Sequence, residues 1–292
     1  MKKARQILVI GGNRFFGKRL IEKLLKQGDQ VTVLNRGHLD DGFGDRVTRI
    51  NCDRDDIEKL KKSVQHKTWD IVYDQVCFDA HQAQAACDIF SSITKKYIFT
   101  STQSVYPYGQ NLSESVFNPQ KHKYDKILSR DENYGEAKRQ CEAVFFNQNN
   151  MPVTAVRLPM VVGPDDYTER LKFYVDKIKN GESVYFPNIE SQISLIHSDD
   201  AAEGLLFLGH SDFTGPVNLA SVNPIRLKDI VSAIENTVDK KAVVRSEPNS
   251  ADEKSPYGLP EDWFMNLSLV SSLGFTAKPI SGWISSVIRS YL

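Results

Sequence analysis

The sequence predicts an α/β protein, a doubly wound parallel sheet followed by a smaller mixed α/β region. Three observations predict it. Short runs rich in Val, Ile and Leu alternate with helical periodicity through the first half of the chain, as strands covered on both faces and joined by helices do. The first run breaks into a glycine-rich turn and a helix start, ILVIGGNRFFGKRL. From about Gly163 the alternation loosens into shorter elements between turn residues.

The strands read, in order, as QILVIG, QVTVLN, RVTRIN, DIVYDQV, KYIFTS and VTAVRL. Between them lie the helices FFGKRLIEKLLKQ, DIEKLKKSVQ, AHQAQAACDIFSSI and NYGEAKRQCEAVFFNQ. Gly28 is placed to close the first helix as a left-handed cap. Right-handed crossovers then make the sheet parallel. Beyond Gly163, GPDD, GESVYFPN, GPVN and SVNP read as turns, and NSADEKSPYGLPED as a surface loop.

Composition narrows the function. At 292 residues and 33.0 kDa the chain can bury a large core. Lys plus Arg equals Asp plus Glu at 37 each, so charge gives no reason to expect nucleic acid or an anionic membrane as partner. No apolar run approaches the ~18 residues of a membrane span. The start, MKKARQILVIGG, has an apolar part of only about five residues, too short for a signal peptide, and reads as a first buried strand. Cys52, Cys77, Cys87 and Cys141 show no C-x-x-C spacing, which suits reduced thiols in a cytoplasmic protein.

The glycine turn admits two readings. From Gly12 it is G-x-x-x-x-G-K, a triphosphate loop, but Arg19 stands where a Ser or Thr should hold Mg²⁺. From Gly11 it is a dinucleotide turn, with a strand before it and a helix after Gly17 to receive a pyrophosphate on free amides. The second reading is the better one. Gly11 permits the tight turn, Gly12 the close approach of phosphate, and Gly17 the close packing of helix on strand, while Asn13, Arg14, Phe15 and Phe16 complete the cradle. The second strand ends in Asn35-Arg36, with no acid for a ribose 2′-hydroxyl. Arg36 and Arg14 together could clamp a 2′-phosphate, so NADP is expected over NAD. Asp53 follows the third strand, placed for the adenine amino group or as the cap of DIEKLKK. The boundaries that follow are 1–164 for the dinucleotide-binding domain and 165–292 for a substrate-binding region, partly interleaved with it.

The chemical centre lies further on. Tyr134 and Lys138 are spaced i, i+4 and share a helix face, where an ammonium favours the phenolate that proton transfer at a carbonyl or hydroxyl requires. About one such pair arises by chance in a chain with 11 tyrosines. Position carries the argument, because the pair follows a fifth strand ending in Thr100-Ser101-Thr102.

These residues carry a resemblance. YGEAKRQCE, STQSVY, RLPMVVGP and LIHSDDAA, in that order, resemble motifs of the extended, epimerase/dehydratase-like branch of the short-chain dehydrogenase/reductase superfamily. The match runs from the first strand to about residue 205. It implies a Rossmann sheet and hydride transfer with NAD(P), as reductase, dehydrogenase or epimerase, on a small molecule such as a nucleotide sugar. It further implies that Thr102 bonds the substrate oxygen, Tyr134 is the acid/base, Lys138 binds the ribose and tunes Tyr134, and Pro159 lies beside the nicotinamide. Ser101 is the neighbour easily mistaken for Thr102. His197 and Asp200 fit a site role less well than capping and packing of the helix AAEGLLFLG.

Departures limit the reading. A 4,6-dehydratase of this branch would show Asp-Glu after the threonine, and here Gln103-Ser104 follow. GGNRFFG resembles atypical members, some of which are similar to chloroplast stem-loop RNA-binding proteins, so a silent nucleotide-sensing or RNA-binding protein is the alternative. The loop before Tyr134 holds Lys121, Lys123 and Lys126, a solvated face or a seat for a diphosphate. The helix AKRQCEAVFFNQ has an apolar face that suits a homodimer or simple core packing. No metal-ligand cluster is visible.

Overall fold

Seven parallel strands frame the first of two units in the computed structural model, which describes residues 4–148, 150–251 and 253–292. They are β1 (Gln6–Ile10), β2 (Gln30–Asn35), β3 (Thr48–Asn51), β4 (Ile71–Asp74), β5 (Tyr97–Thr102), β6 (Val153–Leu158) and β7 (Gly215–Asn218). Their order is β7-β6-β5-β4-β1-β2-β3, every neighbour parallel. The chain runs outward from β1 to β3, then returns to place β4 on the other side of β1. That reversal opens a crevice at the carboxyl ends of β1 and β4.

Helices α1 (Phe15–Lys26), α2 (Ile57–Val64), α3 (Ala80–Phe90) and α4 (Arg130–Asn147) belong to this unit. In α1 the apolar Leu20, Ile21 and Leu24 are buried, Lys23 and Lys26 sit at its negative end, and Gly28 follows at φ +80°, as helix-end physics prefers. Leu8, Ile10, Val72, Phe90, Tyr97, Phe99, Cys141 and Phe145 join one core, each large apolar side chain contributing roughly 1.5–3 kcal/mol on burial. Ala137, Cys141 and Phe145 of α4 are packed inside the unit, so core packing takes the face that suited a dimer. All four cysteines are free and buried.

Three elements differ from expectation. GPVN is the edge strand β7, since its backbone pairs with β6 in register from Gly215–Thr154 to Asn218–Arg157. The cap of α2 is Asp56, which accepts from Lys59 N at 3.1 Å, and Asp53 instead accepts from Asp55 N. The boundary at 164/165 also moves. The first unit holds Met1–Tyr106, Glu114–Leu158 and Ala201–Leu219, because β7 draws its segment back onto the sheet.

The second unit holds Pro107–Ser113, Pro159–Asp200 and Ala220–Leu292. Its four-stranded mixed sheet joins Ile225–Arg226, Gln192–Ile193, Trp263–Met265 and Gly109–Leu112 in that order. Helices Arg170–Asn180, Leu227–Val238 and Ile284–Arg289 surround a core that includes Leu171, Tyr174, Ile230 and Trp283. Among the described residues no helix is long and apolar enough to cross a membrane, and no acid, His or Cys cluster could hold a metal.

Candidate active site

The glycine turn lies at the crevice between β1 and β4. Gly11 and Gly12 have φ of +85° and +79°, the left-handed region that glycine enters without strain. Gly11 N donates to Leu34 O at 2.8 Å, tying the turn to β2. A Cβ on Gly11 would come within 2.8 Å of Val76 Cγ1, and one on Gly12 within 2.7 Å of Val9 Cγ1. One on Gly17 would meet Gly12 Cα at 2.6 Å. Helix and strand therefore touch through bare backbone. Arg14 caps α1 in extended conformation without a side-chain bond to the helix, and Phe15 enters at φ +51°. Asn13 and Phe16 are half-buried beside them. No acid occupies the first turn, and the first amides of a helix lack intrahelical partners. A backbone cradle at a positive helix end suits a pyrophosphate.

The adenosine side is less closed. Asn35 Oδ1 accepts from Gly37 N at 2.7 Å, and Arg36 is exposed at the end of β2. Asp53 is exposed in its own turn. Directly after it stands a residue that the sequence reading missed. Arg54 is buried, and its Nη1 donates to both oxygens of Asp74 at 3.0 and 2.8 Å. Tyr97 OH donates to Asp74 Oδ2 at 2.6 Å. This network pins the β3–α2 loop to the end of β4. The available signal was Asp74, an acid closing an otherwise apolar strand.

At the end of β5 neighbouring side chains take opposite faces. Ser101 Oγ donates to Glu142 Oε1 at 2.5 Å, inside the core. Thr102 Oγ1 accepts from Ser104 N at 3.1 Å and lies 3.3 Å from Ser104 Oγ. The two are thus separated by role. A Cβ on Gly135 would lie 2.5 Å from Ser104 O, so the helix carrying Tyr134 rests on the backbone just past Thr102. Tyr134 itself is 41% exposed. Lys138 is 1% exposed, and its Nζ donates to Cys77 O at 2.6 Å and Thr100 O at 2.9 Å. The ammonium also lies 4.8 and 4.6 Å from the rings of Phe78 and Phe99. Two of its three protons are committed to main chain. Away from these residues, burial in the core pushes the Cys87 thiol up to about 12.

Pro159 is buried directly after β6, as the first residue of its segment of the second unit. His197 Nδ1 accepts from Asp199 N at 3.2 Å, and Asp200 Oδ2 from Lys278 N at 3.0 Å. His197 thus bonds within its own turn, and Asp200 bonds a segment 78 residues further on. The basic loop is tied down in part, with His122 paired to Glu136 and Lys126 to Glu132, each at 2.8 Å. Lys121 and Lys123 remain exposed.

Comparison with known proteins agrees with this frame. A family model described as the NAD dependent epimerase/dehydratase family matches residues 7–220. The chain is 27% identical over 221 residues to the chloroplast stem-loop binding protein of 41 kDa b of Arabidopsis thaliana, covering 69% of this chain and 54% of that one. It is 23% identical over 279 residues to UDP-glucuronic acid decarboxylase 1 of the same plant, covering 86% and 62%. The chain thus spans less than two thirds of the length of either relative. Its fold matches that of the UDP-glucose 4-epimerase of Thermus thermophilus, solved as a complex with NAD, at a TM-score of 0.75 and 17% identity over 98% of each chain. At that identity the likeness is one of fold.

Proposed function

The chain belongs to the NAD-dependent epimerase/dehydratase family, and from that premise we propose an epimerase or oxidoreductase acting at a carbonyl or hydroxyl carbon. The observation that carries the reading is the close approach of α4 to the Ser104 backbone, where a Cβ added to Gly135 would lie 2.5 Å from Ser104 O. It supports a place for Tyr134, the preceding residue, near the turn after Thr102 at the carboxyl end of the sheet, where such folds bind their ligands.

The bound coenzyme supplies a hydride acceptor and donor. Gly11, Gly12 and Gly17 with the first amides of α1 would hold its pyrophosphate, and Asn13, Arg14, Phe15, Phe16, Asn35, Arg36 and Asp53 would line the path towards adenosine. We assign NAD in place of the NADP expected from the arginines. The family name and the Thermus complex point that way.

With the coenzyme bound, Tyr134 would take the proton from the substrate hydroxyl on oxidation and return it on reduction. Thr102 Oγ1 can exchange its 3.3 Å contact with Ser104 Oγ for the substrate oxygen. Lys138, fixed by two carbonyls, supplies a positive charge on the same helix face and one remaining proton for the ribose. By the family resemblance, Pro159 would adjoin the nicotinamide. Gln103-Ser104 provide no acid–base pair for a ring dehydration. The substrate class is a nucleotide sugar, after the names of the decarboxylase and epimerase relatives.

The test is Tyr134→Phe on a panel of UDP-sugars with NAD, followed by NMR. Loss of one positioned acid/base should lower kcat by about 10²–10⁴-fold, while NAD affinity and Tm hold because the phenol is half exposed. Unchanged turnover sinks the mechanism. Lys138→Ala is a poorer probe, since it also strands Cys77 O and Thr100 O.

One relative supports a second reading, RNA binding without turnover. Against it stand the balanced charge and the pairing of Lys126 with Glu132. Salt-dependent retention of a stem-loop RNA on a filter, with no NAD binding, would favour that reading over the enzyme.

A further inference from the structure

The reading above brings the coenzyme ribose to Lys138, a side chain that is almost wholly enclosed, with 1% of the residue exposed. Its Nζ donates to Cys77 O and Thr100 O, and the rings of Phe99 and Phe78 lie 4.6 and 4.8 Å from it. Cys77 and Phe99 are fully buried, and the Thr100 hydroxyl is itself enclosed. Phe78 is half-buried, so its ring is the part of this shell that reaches the surface. The Arg130 guanidinium, on a side chain 55% exposed, lies 4.9 Å from the same ring. One ring thus serves two cations. The main chain around it is pinned, since Phe78 N donates to Gln82 Oε1 at 2.7 Å and Asp79 Oδ1 accepts from Gln82 N at 2.9 Å. Turning the ring to another rotamer breaks none of these backbone bonds.

We propose that Phe78 is a gate on Lys138. Its ring covers the ammonium until the coenzyme binds, then turns aside so that a ribose hydroxyl oxygen accepts the third ammonium proton. The proposal rests on the coenzyme reading above. An enclosed ammonium with one proton uncommitted is unfavourable, and the contact with the Phe78 ring offsets that cost before the ribose arrives. Ligands that carry the second ribose must displace the ring. Ligands that end at the pyrophosphate leave it where it is.

The test is calorimetric titration of ADP and of ADP-ribose into the wild-type chain, Phe78→Ala, Phe78→Trp and Arg130→Gln, with Tm recorded for each. The two ligands share a pyrophosphate and only ADP-ribose reaches Lys138, so the ratio of their affinities reads the gate. Phe78→Ala should raise the preference for ADP-ribose about 2- to 30-fold, the range of one cation–π contact. Arg130→Gln frees the ring from its exposed cation and should raise it less, at an unchanged Tm. Tryptophan, the stronger partner for a cation, should lower it. Without ligand, acetic anhydride should label Lys138 faster in Phe78→Ala than in the wild type, as read by peptide mass. A purely structural Phe78 predicts one affinity ratio and one labelling rate in all the chains, with only Tm changing, and that result overturns the proposal. If the wild type binds neither ligand, the coenzyme reading falls and the gate with it. If it binds both, at a ratio that no variant alters, only the gate falls.

Discussion

Gly17 shows how much one absent side chain decides. A Cβ there would meet the Gln75 carboxamide and Gly12 Cα, the latter at 2.6 Å. The amide can swing aside, but the backbone of the turn cannot. Gly17→Ala should therefore cost about 1–3 kcal/mol by overpacking and displace the turn that receives the pyrophosphate. Chemical denaturation and an NAD titration check both effects, and wild-type behaviour in both would show that α1 has room to shift. At this scale the sequence was legible where a residue type answers a backbone demand, as at Gly11, Gly12 and Gly17. It was silent on Phe78 and Arg54, whose importance comes from what folding places around them. No local pattern marks a phenylalanine that will cover an amine on a later helix.

Helix α4 carries the phenol and the amine, and it has two N-termini. Ser129 accepts from Glu132 N, and Glu132 Oε2 accepts in return from Ser129 N at 2.9 Å, a capping box on the first turn. At Asn133 the backbone leaves the helix, with φ −161° and ψ 98°. Asn133 Oδ1 then accepts from Glu136 N at 2.9 Å and caps the helix a second time. Tyr134 is the first residue after that second cap. Asn133→Ala should cost about 1 kcal/mol and lower kcat, whereas Ser129→Ala should cost a similar amount and leave kcat alone. Equal kinetic effects would mean that the kink has no part in holding Tyr134.

The same segment has a pH signature. The hydrogen bond from Lys126, with those from Ser129, holds the Glu132 carboxyl down to about 2, against an ordinary 4.5. A depressed acid stabilises the fold above its unfolded pKa and loses that contribution as the pH falls through the folded value. Amide protection in residues 130–133 should therefore decline between about pH 4.5 and 2, and Glu132→Gln should abolish the trend. A flat profile in the wild type would show the capping box to be dispensable. The periodicity of NYGEAKRQ revealed the main helix. The extra turn stayed hidden, because Ser129 and Asn133 are equally good caps and only tertiary packing uses both.

The first unit as a whole is held by a pair that the motifs named without explaining. Most strands of the doubly wound half were legible along the chain because each carries its own apolar run. The edge strand β7 was not, since GPVN has turn composition and becomes a strand only through pairing with β6. Behind that edge, Arg157 and Glu142 form an ion pair at 2.5 Å with both side chains fully buried. Glu142 also accepts from Ser101, and Arg157 donates to Tyr106 OH, Glu114 O and Phe117 O. Tyr106 OH in turn donates to Asn218 Oδ1 on β7. One buried cation thus joins β5, α4, β6, the 114–117 segment and the edge strand. Burying two charges is costly, and removing one partner leaves the other uncompensated, an effect of about 3–5 kcal/mol. Glu142→Gln should destabilise the chain by that order in urea, with Arg157→Met as bad or worse because three oxygen acceptors lose their donor. The double variant Glu142→Leu/Arg157→Met should recover part of the loss, since an apolar pair of similar volume carries no charge to bury. If the single and double variants fall equally, the stability of this unit comes from shape rather than from the charge pair.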